Sequence, residues 1–438
     1  MFANTSTAIL INNVLKNTSQ TVSSQTVSSD SDNSSETETE IEVVRPNDVT
    51  PFDVTVVTDY NKLVTEFGCI PLSQDLFDRF EKVTGTMIPA CYKKFIISHR
   101  DLDVILDAIE RHEQVYLYTG RGPSSERMHL GHLVPFRFCQ FLQTALNVPV
   151  VIQLTDDEKF IFKDNLTMEM ISKMVEENIR DIIACGFDPE KTFIFTNSKF
   201  IGQMYPMILK IQKIVKLKQV VATFGFPIDG ENTSIGKVAF PAVQAAPAFA
   251  ETFEGIFEKA NGQAFNLKKV YCLVPCAIDQ DPYFRMCRGI AAKLKHHKPA
   301  VIHTRFLPSL DGVETKMSAS NPSSCIYLGD SEKQVRKKIG KGFSGGQEFL
   351  EDHKRLGGNP EKDVAYSLLE FFASAGDPDF LSQTFSAFKS GSLSCGEMKR
   401  LAGDTIAQVV SDFKKKRSEI TLDCVRQFTC TVDRKINF

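Results

Sequence analysis

Residues 115–132 read VYLYTGRGPSSERMHLGH. Val115–Thr119 is a short β-rich run, and Gly120, Gly122 and Pro123 turn the chain sharply out of it. A strand leaving through a glycine turn toward a helix opens a β–α unit. The same alternation recurs outward from this stretch. Further strand candidates are VPVVIQL from 148, TFIFT from 192, VYCLV from 270 and AVIHTRF from 300. Between two of them a helix opens at Thr167, places Ile171, Met174, Ile179 and Ile182 on one face, and stops at Gly186. Alternating β and α elements predict an α/β fold with a Rossmann-like, doubly wound parallel sheet. Ligands of such sheets sit beyond the carboxyl ends of the strands, where Gly120–His132 lies.

The rest of the 438-residue chain falls around that core. Residues 1–48 are rich in Ser, Thr and Asn and end in acidic repeats, so they are expected to be a disordered, low-complexity extension. Residues 49–110 read as an appended region that packs on the sheet domain, with Ser73 capping a helix around Leu76, Phe77 and Phe80. The α/β domain spans 111–325. From 326 to 438 strand signals vanish, and a capping box from Ser394 to Glu397 opens a helix carrying Met398, Leu401, Ile406, Val409 and Phe413. That part is expected to be an all-helical C-terminal domain.

Composition bounds the function class. Hydrophobic residues make up 42%, enough for a sizeable core. No apolar run approaches the roughly 18 residues of a membrane span. The apolar piece Ala8–Leu15 has no basic flank, and the first arginine is Arg45, so neither a secretory nor a mitochondrial leader is expected and the cytosol is the default. The 11 cysteines include no C-x-x-C pair, which favours buried thiols over a disulfide or zinc framework and predicts no tightly bound metal. The formal charge is −3 overall, while residues 331–438 carry 18 basic and 15 acidic groups. That mild basic excess permits nucleic-acid contact without requiring it.

Ser124 or Ser125 is a candidate cap for the helix that follows, on which His129 and His132 share one face at spacing i, i+3. A helix N-terminus offers free N–H groups to a phosphate. Gly131 would let a flat base approach the backbone, and Pro135 should disturb the first turns. On this stretch alone, ordinary partly buried histidines, two zinc ligands or a plain glycine turn remain open. The segment LDGVETKMSASNP, residues 310–322, reads as an exposed mobile loop whose Lys316 and two serines could hold a departing pyrophosphate.

Together, H-x-G-H after the first strand and K-M-S-x-S after the last, 184 residues apart from His132 to Lys316, resemble the signature pair of class I aminoacyl-tRNA synthetases. Further blocks, VIQLTDDEKF (151–160), FPAVQAAPAF (240–249), PCAIDQDPYFRM (275–286) and FSGG (343–346), are similar to the eukaryotic and archaeal tryptophanyl-tRNA synthetase family. The resemblance covers nearly all of the chain from Val49 on.

The resemblance implies an enzyme that joins L-tryptophan to tRNA(Trp) at the expense of ATP with Mg²⁺. It implies a homodimer and a C-terminal helical domain that reads the anticodon. It places Arg121, His129, Gly131, His132, Lys159, Lys316, Ser318 and Ser320 on the ATP side, with His129, His132 and Lys316 catalytic. Tyr118 and Gln153 match the positions that recognise the indole N–H. Glu158, Gln244 and Gln280 match those around the ammonium, and Asp279 stands beside them. Leu130 and Ala319 replace the isoleucine and lysine common in other class I motifs, which leaves Lys316 the only cation of the second motif. Two rivals stay in view: a nucleotidyltransferase sharing H-x-G-H, and a silent binding protein on the same scaffold.

Overall fold

The structure is a computed structural model that describes residues 60, 64–65, 67–227, 233–258, 265–319, 321–373, 379–431 and 434–438. The expected disordered extension, residues 1–48, lies outside the described residues.

A six-stranded sheet forms the centre. Its strands are β1 (Ile96–Arg100), β2 (Val115–Arg121), β3 (Val150–Leu154), β4 (Thr192–Thr196), β6 (Tyr271–Ala277) and β7 (Ala300–Thr304), in the order β1-β7-β6-β2-β3-β4. Short pieces β5 (Phe257–Glu258), β8 (Pro308–Ser309), β9 (Gly312–Lys316) and β10 (Ile436–Asn437) lie outside it. All neighbouring pairs in the sheet are parallel except β1–β7. Every residue of β3, β4 and β7 is buried, as expected of strands covered on both faces. Alternate residues feed two cores. Val115, Leu117, Val150 and Ile152 face one cluster with Leu133 and Phe138. Tyr116, Tyr118, Val151, Phe193 and Phe195 face the other with Phe253 and Phe284. That division is the doubly wound arrangement read from the sequence.

The five strand candidates all form strands, and the helix Met168–Ile183 starts at Thr167, whose side chain accepts from the Met170 N–H. Ser73 likewise caps Gln74–Thr84. Four points differ from the sequence reading. First, the sheet gains an antiparallel edge, β1, from residues N-terminal to 111. IISHR is five residues long with no turn residues before it, too short a run to separate from the helix Ala90–Phe95 that leads into it. Second, neither Ser124 nor Ser125 caps a helix. The helix begins at Leu130 with His129 as its N-cap and runs through Pro135 to Leu146. Met128 and Leu130 instead exchange backbone bonds with Leu328 and Ile326, at 2.9 and 3.0 Å, which keeps the chain extended up to His129. Third, the stretch expected to be an exposed loop contains a hairpin, β8 with β9, and Met317 is buried with its N–H on the Leu307 carbonyl. Fourth, the C-terminal end is not all helix: β10 pairs with β5, and Ile436 is fully buried. A two-residue pairing leaves no periodicity to read.

The helices Glu332–Lys341, Val364–Phe372 and Cys395–Ser418 carry the C-terminal part. The capping box at Ser394 is present. Val335, Leu368, Met398, Ile406 and Phe413 join the same apolar cluster that backs the sheet. The FSGG segment is a packing joint. A Cβ on Gly345 would stand 2.0 Å from the Asn359 carbonyl oxygen, and one on Gly346 would stand 2.1 Å from Cys395 Sγ.

Candidate active site

Strand order reverses between β2 and β6, and a cavity of about 620 Å³ opens beyond their carboxyl ends. Its volume suits a small-molecule substrate site. Twelve of the fourteen residues singled out in the sequence line it. They are Tyr118, Arg121, Glu158, Lys159 and Gln244; His129, Gly131 and His132; and Asp279, Gln280, Lys316 and Ser318. Ser320 lies outside the described residues. Gln153 is fully buried and stands one layer behind the wall.

One end of the cavity is cationic. Arg121 is 7% exposed, and its Nε donates to Asn178 Oδ1. Its Nη2 is buried without a partner. Burial pulls the guanidinium down to about 10, still a cation at neutral pH. An unpaired guanidinium N–H on a cavity wall suits an anion. Lys159 Nζ pairs with Glu158 Oε1 at 2.8 Å. The two side chains fill the space over Gly122, where a Cβ would come within 2.1 Å of Lys159 Cε. Lys316, at the end of β9, lies 5.2 Å from the Phe306 ring centroid.

Burial and the Arg121 charge pull His129 down to about 3 and push His132 well below its ordinary value, so both are neutral. His132 Nδ1 accepts, at 3.4 Å, from the backbone N–H of His129, which puts the His132 proton on Nε2. His129 Nδ1 is buried and unpartnered. The two rings lie close, with centroids 3.7 Å apart and planes tilted by 36°. The His129 ring also covers Gly131, where a Cβ would lie 3.0 Å from it. The glycine therefore already serves a close ring contact before any base arrives.

At the other end, neutral side chains are hydrogen-bonded in series and lead to the Asp157 carboxylate. Tyr118 OH lies 2.5 Å from Gln153 Oε1, which accepts its proton. Gln244 Nε2 donates back to the Tyr118 oxygen at 3.0 Å. Gln153 Nε2 donates to Asn197 Oδ1 at 2.7 Å, and Asn197 Nδ2 donates to Asp157 Oδ1 at 2.7 Å. Asp156 is buried and accepts from the Ser198 N–H at 3.1 Å. Between the two ends stands Asp279, buried, with Oδ1 unpartnered. Desolvation pushes its carboxyl up to about 6, against the pull of Lys316.

Three supporting residues were missed in the sequence. Asn197 follows β4, and its place at a strand's carboxyl end was a usable signal. Asn178 stands seven residues after Ile171, a polar residue on the buried face of its helix. Tyr327 had no sequence signal. It pairs its backbone with His129 and donates its hydroxyl to the Ala319 carbonyl at 3.2 Å, so it bridges the two signature motifs.

The sequence matches the family described as tRNA synthetases class I (W and Y) over residues 110–411. It is 46% identical to the cytoplasmic tryptophan–tRNA ligase of Schizosaccharomyces pombe, across 86% of this chain and 95% of that protein. The chain belongs to the tryptophanyl-tRNA synthetase family. The fold agrees. The tryptophanyl-tRNA synthetase of Giardia lamblia superposes with a TM-score of 0.79 at 36% identity, covering 85% of this chain and 96% of that one. The Encephalitozoon cuniculi enzyme, solved bound to tryptophan, gives 0.76 at 38% identity, covering 87% and 100%.

One further cluster needs an explanation. Cys69, Asp281 and His303 bring possible metal-ligand atoms within 4.8 Å of one another. Asp281, however, is held by Arg100 through two 2.8 Å bonds and by His303 Nε2 at 2.9 Å. Burial alone would raise its carboxyl, but those partners hold it at about 2. A carboxylate so engaged makes a buried ion-pair network that ties β1 to the helix Asp281–Leu294 and to β7.

Proposed function

We propose that this chain is a cytoplasmic tryptophan–tRNA ligase whose cavity holds tryptophan at the Tyr118 end and ATP at the Arg121–Lys316 end. One tryptophan carboxylate oxygen attacks the α-phosphorus of ATP in line. The bond to the β-phosphate oxygen breaks, and pyrophosphate leaves with the magnesium that entered as part of the substrate. The 2′-hydroxyl of the terminal tRNA adenosine then attacks the activated carbonyl, and AMP departs. The protein performs little covalent chemistry; positioning and charge stabilisation carry the rate. His132 Nε2–H and the unpartnered Arg121 Nη2 donate to phosphate oxygens. Lys316 and Ser318 follow the pyrophosphate, joined by Ser320 and Lys159. Gly131 takes the adenine. Glu158, Gln244 and Gln280 surround the ammonium group.

The observation that carries this reading is the neutral acceptor series at Tyr118, set in the same cavity as an unpaired buried guanidinium. The indole N–H is a donor without an acceptor, so a buried phenol oxygen is a fitting partner. Tryptophan-dependent ATP–pyrophosphate exchange, followed by charging of tRNA(Trp), tests it. Exchange with another amino acid and none with tryptophan would overturn it.

Asp279 gives the site a pH dependence. Its carboxyl is charged above about 6 and protonated below. If it helps hold the ammonium or the ribose hydroxyls, substrate affinity is full at pH 7.5 and falls as pH drops through 6. Asp279→Asn should flatten that fall in a KM–pH series. Asp157 is also pushed up to about 6, so a fall that persists in Asp279→Asn would move the effect to Asp157.

The helical C-terminal part reads the anticodon in this proposal, and two chains form the working enzyme. Ile201, Tyr205 and Leu209 stand at i, i+4 and i+8 on the helix Asn197–Ile214 and are 38%, 53% and 46% exposed. Such an apolar stripe suits a self-complementary dimer contact. Tyr205→Glu with Leu209→Glu is expected to sediment as a monomer. An unchanged dimer would place the interface elsewhere.

A further inference from the structure

The helix Met168–Ile183 carries one polar strip, Glu177, Asn178 and Asp181, on which two separate parts of the chain converge. Asn178 and Asp181 are fully buried. On one side lies the phosphate end of the cavity. Asn178 Nδ2 donates to the Ser125 and Glu126 carbonyls at 2.9 and 3.2 Å, and its Oδ1 takes the Arg121 Nε bond. Asp181 Oδ2 accepts the Met128 N–H at 3.0 Å, one residue before His129. On the other side lies Arg417, in the last turn of the 24-residue helix Cys395–Ser418. Its Nε donates to Asp181 Oδ1 at 2.5 Å and its Nη2 to Glu177 Oε2 at 2.7 Å.

We infer that Arg417 is a positioning residue for ATP: through Asp181, Glu177 and Asn178, the C-terminal helical part fixes the 121–129 segment and with it Arg121 and His129. The inference rests on the ATP assignment made above, but its geometry does not. The segment from Gly122 to Met128 has no helix or sheet of its own beyond the Met128–Leu130 bridge, so these side-chain bonds set its path. Arg417 belongs to the run Lys414–Arg417, whose cations could equally have served solvent or tRNA. The structure divides them. Lys415 and Lys416 are exposed, Lys414 Nζ reaches the Asp330 carbonyl at 3.3 Å, and Arg417 faces inward. Without its guanidinium, Asp181 keeps Arg127 at 4.0 Å and Glu177 keeps Arg127 at 3.3 Å. Both carboxylates would then turn toward Arg127, and Asp181 would loosen its hold on Met128.

Two measurements on Arg417→Ala test this. Amide hydrogen exchange needs no activity: the Met128 region should exchange about ten-fold faster, while β3 and β4 stay protected. In tryptophan-dependent pyrophosphate exchange the KM for ATP should rise about five- to ten-fold with the KM for tryptophan unchanged. Arg417→Lys keeps the charge and loses the fork, so it should recover only part of the effect. Lys415→Ala should match wild type. Wild-type protection at Met128 in a folded Arg417→Ala overturns the inference. So does a parallel rise in both KM values, which would mean general loosening. Should Arg417→Ala fail to fold, Glu177→Leu removes one arm of the fork with little change of size, and the same two readouts decide. A wild-type protein inactive with tryptophan would sink the ligase reading alone, because the exchange experiment still judges the positioning.

Discussion

Lys316→Ala is expected to slow tryptophanyl-adenylate formation by about 10²–10³-fold, the usual effect of removing one preorganised charge donor from a transition state. The reason lies in how three of the cavity's cations are held. Arg121 is pinned by Asn178, and Lys159 is engaged by Glu158. Lys316 ends a hairpin, with its ammonium over the Phe306 ring. A cation–π contact near a surface is weak, about 0.5–1 kcal/mol, so the side chain can leave it for the pyrophosphate at small cost. Charge on the leaving oxygen grows only as the bond to the α-phosphorus breaks. The loss should therefore appear in kcat for pyrophosphate exchange, with tryptophan affinity changed by less than about two-fold. Single-turnover adenylate formation is the direct measurement. A full activation rate in Lys316→Ala, with a large loss of tryptophan affinity, would remove Lys316 from this role.

The sequence showed the sheet and the motifs because both have short, local signatures. Parallel strands buried on both faces are continuous apolar runs, and β2, β3, β4, β6 and β7 are such runs. The signature motifs fix residue types at fixed spacing, so His129, His132 and Lys316 could be named and do meet in one cavity. What stayed hidden depends on contacts between distant parts of the chain. The start of the helix at Leu130 rather than after Ser124 is set by pairing with Ile326–Leu328, nearly 200 residues away. The same pairing puts Tyr327 between the two motifs. The inward turn of Arg417 depends on two carboxylates on another helix, and a run of cations has no mark to say which one they will hold. Gln153 was legible as a pocket residue. That it stands behind Tyr118 was not, because the alternation of a strand fixes its side and not its depth.

Gln153→Ala should show how far that depth matters. Gln153 is the centre of the buried series: it accepts from Tyr118 OH and donates to Asn197, which donates in turn to Asp157. Removing it leaves the Tyr118 hydroxyl and Asn197 Oδ1 each short of a partner, at about 1–3 kcal/mol per buried group. Tyr118 can recover by donating to the Gln244 carbonyl, 2.9 Å away. That switch turns its hydrogen away from the empty space and its oxygen off the line to the indole N–H. Tryptophan binding should then weaken by about 30–100-fold, or 2–3 kcal/mol. Phenylalanine has no donor to lose, so its weak binding should hardly change. The tryptophan-to-phenylalanine ratio should fall by nearly the same factor. The chain makes this unusually direct to measure. It has 9 tyrosines and no tryptophan. Excitation where tyrosine does not absorb sees the ligand alone. Wild-type protein should give bound tryptophan a shifted, highly polarised emission against almost no background. Gln153→Ala should leave that emission depolarised at concentrations that saturate the wild type, while ATP affinity stays within about two-fold. ATP binding that collapses while the amino-acid preference survives would place Gln153 at the other end of the cavity. Free tryptophan whose anisotropy does not change on adding wild-type protein, with or without ATP, would take the ligase reading with it.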